Sequence, residues 1–200
     1  MSKVSLPPAP RIVVLTAPSG AGKSTIARRI LRALPTASFS VSATTRPPRS
    51  NEVDGVNYHF LTDEEFDRRI GESHFVEYEE VYPGIRYGTL VAEVAAASTD
   101  HPKVLDIDVR GAWRVKQLFD GEALTIFIAP PSFEELTARL TGRATETPEA
   151  VATRLERART EMAWAPRFDQ ILVNDDLQDA ADQALGLVQA FLARPMPDKG

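Results

Sequence analysis

The sequence predicts an α/β fold, a central parallel β-sheet flanked by helices, and three observations predict it. Short apolar runs such as Ile12-Val13-Val14-Leu15 recur without polar alternation, as strands buried on both faces require. Helical stretches separate these runs, and parallel strands need such crossovers. The segment Ala17-Pro18-Ser19-Gly20-Ala21-Gly22-Lys23-Ser24-Thr25 sits directly between the first apolar run and the first helix.

In chain order, residues 11–15 are predicted as the first strand and 24–34 as the helix that follows. Residues 104–107 form a second strand, followed by a helix from about Gly111 to Phe119. Residues 124–128 form a third strand. Ser132 and Glu135, three apart, make a capping box that opens the next helix. Residues 171–173 form a fourth strand and 177–192 a closing helix, which Asp175 or Asp176 can cap.

Two segments break this rhythm. Residues 40–90 hold short polar strands, turns and aromatics, with one helix capped by Thr62 and Glu65, and read as an inserted small mixed-β lobe. Tyr78, Phe60 and Phe75 are expected to form its core. Residues 137–157 carry Arg139, Arg143, Arg154 and Arg157 around a loose stretch, with Pro148 well placed at a helix start. An arginine-studded helical hairpin suits a mobile lid over phosphates. Arg157 and Arg159 are expected on its solvated face. The predicted organisation is a flexible tail at 1–10, a core made of 11–39, 91–136 and 158–193, a lobe at 40–90, a lid at 137–157 and a second tail at 194–200.

Composition narrows the class. The chain has 200 residues, 43% of them hydrophobic, which suits one domain with insertions. A net charge of −5 gives no basic footprint for nucleic acid. There are no cysteines, which excludes a disulfide scaffold and fits a cytoplasmic location. No apolar stretch approaches the roughly 18 residues of a membrane span. His59, His74 and His101 show no metal-ligand spacing.

The segment 17–25 has the chemistry of a phosphate-binding loop. Its small residues let several N–H groups turn inward around an anion. Lys23 adds a mobile positive charge for the outer phosphates, and the Ser24 hydroxyl is placed for Mg²⁺. The following helix directs its positive end at the same anion. Ala17 stands where the usual pattern has glycine, and alanine is compatible with that position if φ stays negative. These features predict binding of a nucleoside triphosphate. Asp106 closes an apolar strand, where proteins with such loops place the acid that supports Mg²⁺. Asp106 and Asp108 are two apart, so a strand through both would turn them to one side.

Further motifs follow the loop. Ser42-Ala-Thr-Thr-Arg46-Pro-Pro-Arg49 sets two arginines on a Pro-stiffened loop, able to fork onto one phosphate. Then come Gly55-x-x-Tyr58-x-Phe60, Phe75-x-Glu77, Tyr87-Gly88-Thr89, Leu105-Asp106-Ile107-Asp108 and Val173-Asn174-Asp175-Asp176. In this order, from about Arg11 to Leu192, the chain resembles the guanylate kinases, a family with the P-loop kinase fold.

The resemblance implies a GMP site. Arg46, Arg49, Tyr58 and Tyr87 would hold the GMP phosphate, and Glu77 would accept from guanine N1–H and the exocyclic amine. Ser42 and Thr89 would offer hydroxyls to the base, and Asp108 would assist at the amine. Arg139, Arg143 and Arg154 match the lid arginines, and Asn174 would lie near the ATP base. The implied reaction is Mg²⁺-dependent phosphoryl transfer from ATP to GMP (or dGMP), in a monomer or homodimer. Two other readings stand beside it: a non-catalytic interaction domain of the same family, or a P-loop kinase with another acceptor. The chain departs from the family pattern at Arg110, where glutamine is usual, and at Ala144, where glycine is usual. The loop 81–86 is one residue longer than common and lacks a paired tyrosine.

Overall fold

The computed structural model describes residues 10–141 and 148–195, so residues 1–9 of the expected tail at 1–10 and 196–200 of that at 194–200 lie outside them. Arg143 and Ala144 also lie outside the described residues. The elements run β1 (Ile12–Thr16), α1 (Lys23–Ala33), β2 (Ser38–Phe39), β3 (Ala43–Thr44), β4 (His59–Phe60), α2 (Asp63–Gly71), β5 (Phe75–Tyr82) and β6 (Ile85–Leu90). They continue α3 (Val91–Ala95), β7 (Lys103–Asp106), α4 (Val109–Leu118), β8 (Ala123–Ala129), α5 (Phe133–Thr141), α6 (Pro148–Met162), β9 (Gln170–Val173) and α7 (Leu177–Leu192).

The main sheet has the order β2-β7-β1-β8-β9, and every pair in it is parallel. β1 lies at its centre, and its side chains divide by alternation. Val13 and Leu15 pack with Ile26 and Ile30 of α1 and Ala184 and Val188 of α7. Ile12 and Val14 pack with Val94 of α3 and Ala112 and Val115 of α4. A strand buried on both faces cannot alternate with polar residues, which is why its sequence is an unbroken apolar run. The register sets Leu15 opposite Asp106, so the ends of β1 and β7 deliver the phosphate loop and an aspartate side by side.

Among the elements that the sequence did not suggest are β2 and α3. β2 is an edge strand of two residues paired to β7, and α3 is a single short turn of helix. The helix expected from Gly111 begins at Val109, because Asp108 caps it: its side chain accepts from the backbone N–H of Arg110 (2.8 Å) and Gly111 (3.3 Å). β7 therefore stops at Asp106, and Asp108 owes its position to this cap rather than to strand alternation.

The second sheet, β4-β3-β6-β5, is mixed, with β3–β4 parallel and the other pairs antiparallel. Gly84, at φ 74°, turns the β5–β6 hairpin. Phe66 of α2 stacks on Phe75 (ring centroids 4.5 Å apart), with Ala43 and Leu90 around them. Phe75 is core, as expected, and Phe60 is half-buried. Tyr78 is 42% exposed and touches Phe66 only by its edge, so it is a rim residue rather than core. α2 has its expected cap, with Thr62 Oγ accepting from Glu65 N–H (3.2 Å). α6 starts at Pro148 as expected and runs unbroken through 157, where lid and core were expected to divide.

Candidate active site

The phosphate loop gets its shape from two glycines in the left-handed region, Gly20 at φ 93° and Gly22 at φ 91°. Among the described residues Ser73 is the only non-glycine with positive φ, so Ala17 keeps the ordinary backbone that alanine needs. Gly22 is the N-cap of α1, and a side chain there would collide with the amide of Asn174. Asn174 is buried behind the loop. Its Nδ2 donates to the Ala21 carbonyl (2.7 Å), and its backbone carbonyl accepts from Arg139 Nη1 (3.3 Å).

Lys23 Nζ donates to the Ile107 carbonyl (3.0 Å) and pairs with Asp106. Ser24 Oγ donates to Asp106 Oδ2 (3.0 Å). A hydroxyl and a carboxylate at this spacing are hard oxygen donors that fit Mg²⁺. Arg154 Nη2 donates to Ser19 Oγ (2.7 Å), which brings α6 onto the rim of the loop. Asp176 caps α7, accepting from Gln178 N–H (2.8 Å) and Asp179 N–H (2.9 Å).

A cavity of about 450 Å³ runs from this loop to the small sheet. Ser42, Tyr58, Glu77, Tyr87 and Asp108 line its far end, so the cavity gathers most of the residues expected there. Glu77 is buried (3% exposed) and accepts a hydrogen bond of 2.5 Å from the Thr89 hydroxyl. Burial pushes its carboxyl up to about 8, the nearby Asp108 charge adds to the rise, and Thr89 works against it. Gly111 lies directly beneath that carboxylate: a Cβ there would come within 2.9 Å of Glu77 Cδ.

Tyr58 and Tyr87 meet edge to face (5.8 Å), and burial raises the Tyr58 hydroxyl above its ordinary range. The Arg46 guanidinium lies over the Tyr58 ring (5.2 Å) and forks onto Glu52. Arg49 is exposed at the edge of the same loop. Arg110 is exposed and away from the main cavity.

Arg157 overturns the expectation of a solvated residue. It is half-buried in the cavity wall, with Nε donating to Glu161 (2.6 Å), Nη1 to the Val81 carbonyl (2.5 Å) and its guanidinium over the Tyr82 ring (4.8 Å). It thus ties α6 to the β5–β6 hairpin. Burial raises the Glu161 carboxyl, and the Arg157 charge opposes that rise. The available signal was the spacing of Arg154, Arg157 and Glu161, which puts all three on one helical face. Arg159 is exposed as expected, with its guanidinium over Phe133 (4.7 Å).

Comparison with known proteins follows this geometry. The guanylate kinase family model matches residues 9–191. A guanylate kinase of Salinibacter ruber is 54% identical over 182 residues, covering 91% of this chain and 97% of its own. One of Chlorobium luteolum is 49% identical over 186 residues, covering 92% and 93%. The crystal structure of guanylate kinase from Anaplasma phagocytophilum superposes with a TM-score of 0.76 at 30% identity, covering 95% of this chain and 90% of that one.

Proposed function

The chain belongs to the guanylate kinase family, and from that premise we propose how its own residues transfer the ATP γ-phosphoryl group to GMP, forming ADP and GDP. The observation that carries the reading is one cavity with a phosphate loop at one end and the buried Glu77 carboxylate at the other.

ATP lies along residues 17–25. Its phosphates take the loop N–H groups and Lys23, which Ile107 and Asp106 hold in place before ATP arrives. Asn174 supports the loop from behind, on the side where the ATP base would lie. Ser24 and Asp106 would hold Mg²⁺, which supplies charge neutralisation on the phosphates. GMP lies at the far end, its phosphate on Arg46, Arg49, Tyr58 and Tyr87 and its base against Glu77, Thr89, Ser42 and Asp108. Glu77 offers two parallel acceptors, matching the adjacent N1–H and amine donors of guanine.

The attacking atom is a GMP phosphate oxygen, anionic at neutral pH, so no general base is needed. Its bond to the γ-phosphorus forms as the bond from that phosphorus to the β–γ bridging oxygen breaks. Lys23, Arg46 and the lid arginines Arg139, Arg143 and Arg154 neutralise the charge that passes between the nucleotides. Lobe and lid close over the pair and keep water from the γ-phosphate. Among the described residues no helix is long and apolar enough to cross a membrane, and we place the reaction in the cytoplasm.

The deciding assay is ADP release from ATP with GMP, dGMP, AMP, UMP or no acceptor. Activity with GMP, weaker with dGMP and absent otherwise, is the expected result. Equal rates with AMP would remove Glu77 from base recognition, and no release with any acceptor would return the protein to the non-catalytic reading.

Gly111→Ala tests the floor of the base site. Alanine gains up to ~1 kcal/mol over glycine within a helix, so α4 itself should tolerate the change. The new Cβ instead displaces the Glu77 carboxylate. KM for GMP is expected to rise roughly tenfold or more, with KM for ATP unchanged in the same steady-state titrations. Equal rises for both nucleotides would count against this placement of the base.

A further inference from the structure

The acceptor site contains an acid to which the reading above gives no role. Glu52 uses both carboxylate oxygens on Arg46: Nη1 donates to Oε2 (2.8 Å) and Nη2 to Oε1 (2.9 Å). Oε2 also accepts from the backbone N–H of Arg49 (2.8 Å), so one carboxylate organises both arginines of the loop. The side chains of Arg46 and Glu52 are each only 13% exposed. The Arg46 guanidinium, and after it the Arg49 N–H, hold the Glu52 carboxyl low, at about 2, so the pair stays ionised near neutral pH.

A guanidinium has five N–H donors and two edges that can each grip a pair of oxygens. Arg46 directs two at Glu52 and one, from Nη1, at the Pro47 carbonyl (2.8 Å), and the Tyr87 hydroxyl also interacts with its guanidinium. Its Nε is buried and has no partner among the described residues. A buried donor without a partner is costly unless something fills it. Nε–H and the second Nη2 hydrogen belong to one edge, side by side. The guanidinium covers the ring of Tyr58, which lines the cavity.

We propose that Glu52 is the positioning residue for Arg46: it grips the Nη1/Nη2 edge and leaves the Nε/Nη2 edge to take two oxygens of the GMP phosphate. The proposal rests on the assignment of this cavity end to GMP. A carboxylate so close to a phosphate repels it, and fixing the arginine outweighs that repulsion. A freed arginine has more rotamer entropy to lose on binding than almost any other side chain.

The test is a double-mutant cycle of Glu52→Ala and Arg46→Ala by steady-state kinetics, with Glu52→Gln as a milder variant and thermal melts as a check on folding. Glu52→Ala should raise KM for GMP roughly tenfold, the scale of re-ordering a freed arginine, and leave KM for ATP unchanged. Glu52→Gln, which keeps one acceptor for Arg46, should fall between. In the Arg46→Ala background, where Glu52 has no guanidinium to hold, Glu52→Ala should give no further rise.

A fall in KM for GMP on Glu52→Ala would make Glu52 a competitor of the phosphate and overturn the proposal. So would an equal rise for both nucleotides, or additive effects of the two substitutions, since a merely structural role would give these. If Arg46→Ala itself leaves KM for GMP unchanged, the GMP assignment fails and takes the proposal with it. If Arg46→Ala raises that KM and Glu52→Ala does not, only the role of Glu52 fails.

Discussion

Lys23→Ala is expected to lower kcat by roughly 10³-fold, the scale seen when one preorganised donor is removed from a developing charge. Lys23 is poised before ATP arrives. Its ammonium is pinned between the Ile107 carbonyl and Asp106, with its side chain 20% exposed, so little reorganisation remains to be done on binding. Alanine leaves the loop backbone and both of its left-handed glycines intact. Asp106 loses its cation but keeps the Ser24 hydroxyl, so the fold should lose only ~1 kcal/mol. A coupled assay beside a thermal melt separates the two effects. Near-normal kcat in the folded variant would remove Lys23 from the transfer step, and with it the reading of residues 17–25 as the donor site.

The parts of this fold that showed in the sequence are those where one local pattern has one physical cause. β1 reads as an apolar run because two helical layers cover it, and α7 was bounded correctly because a capping aspartate marks its start. β2 did not show, because a two-residue edge strand is defined by its pairing to β7 and carries no periodicity of its own. Tyr78 was misjudged for a related reason. Aromatic character says that a ring will find neighbours, and β5 decides which ring faces in.

The site divides in the same way. The phosphate loop is contiguous, so its chemistry and its context lie in nine neighbouring residues. The acceptor end is assembled from β3, β5, β6 and the start of α4, and its order along the chain was legible only through the resemblance. What joins distant segments stayed hidden. Arg157 meets Val81 across 76 positions, and Gly111 matters only because the Glu77 carboxylate comes to rest on it. Glu52 is six residues from Arg46, yet nothing in an irregular loop tells which acid a guanidinium will choose.

Glu77→Gln is expected to raise KM for GMP by ~10²-fold or more and to leave KM for ATP nearly unchanged, because a site built to pair with specific donors loses heavily when the match fails. The amide keeps one acceptor for guanine but turns a donor toward a second donor. The same substitution changes the pH dependence. In the empty protein burial pushes Glu77 up to about 8, so at pH 7 the carboxyl is mostly protonated, whereas guanine selects the carboxylate. GMP binding at pH 7 should therefore expel about one proton, and this contribution to affinity should grow as pH rises toward 8. Calorimetry in two buffers of different ionisation enthalpy reads that proton, and the variant should lack it while the titration of the GMP phosphate itself persists. Stability should move the other way. A carboxyl whose folded value lies above its unfolded one contributes stability fully present below about 4.5 and lost as pH rises through about 8. The variant should thus melt higher than the parent at pH 9, by ~1–2 kcal/mol, with the gap closing in acid. Equal changes in the two KM values, or proton release in the variant as large as in the parent, would mean that a different group reads the base.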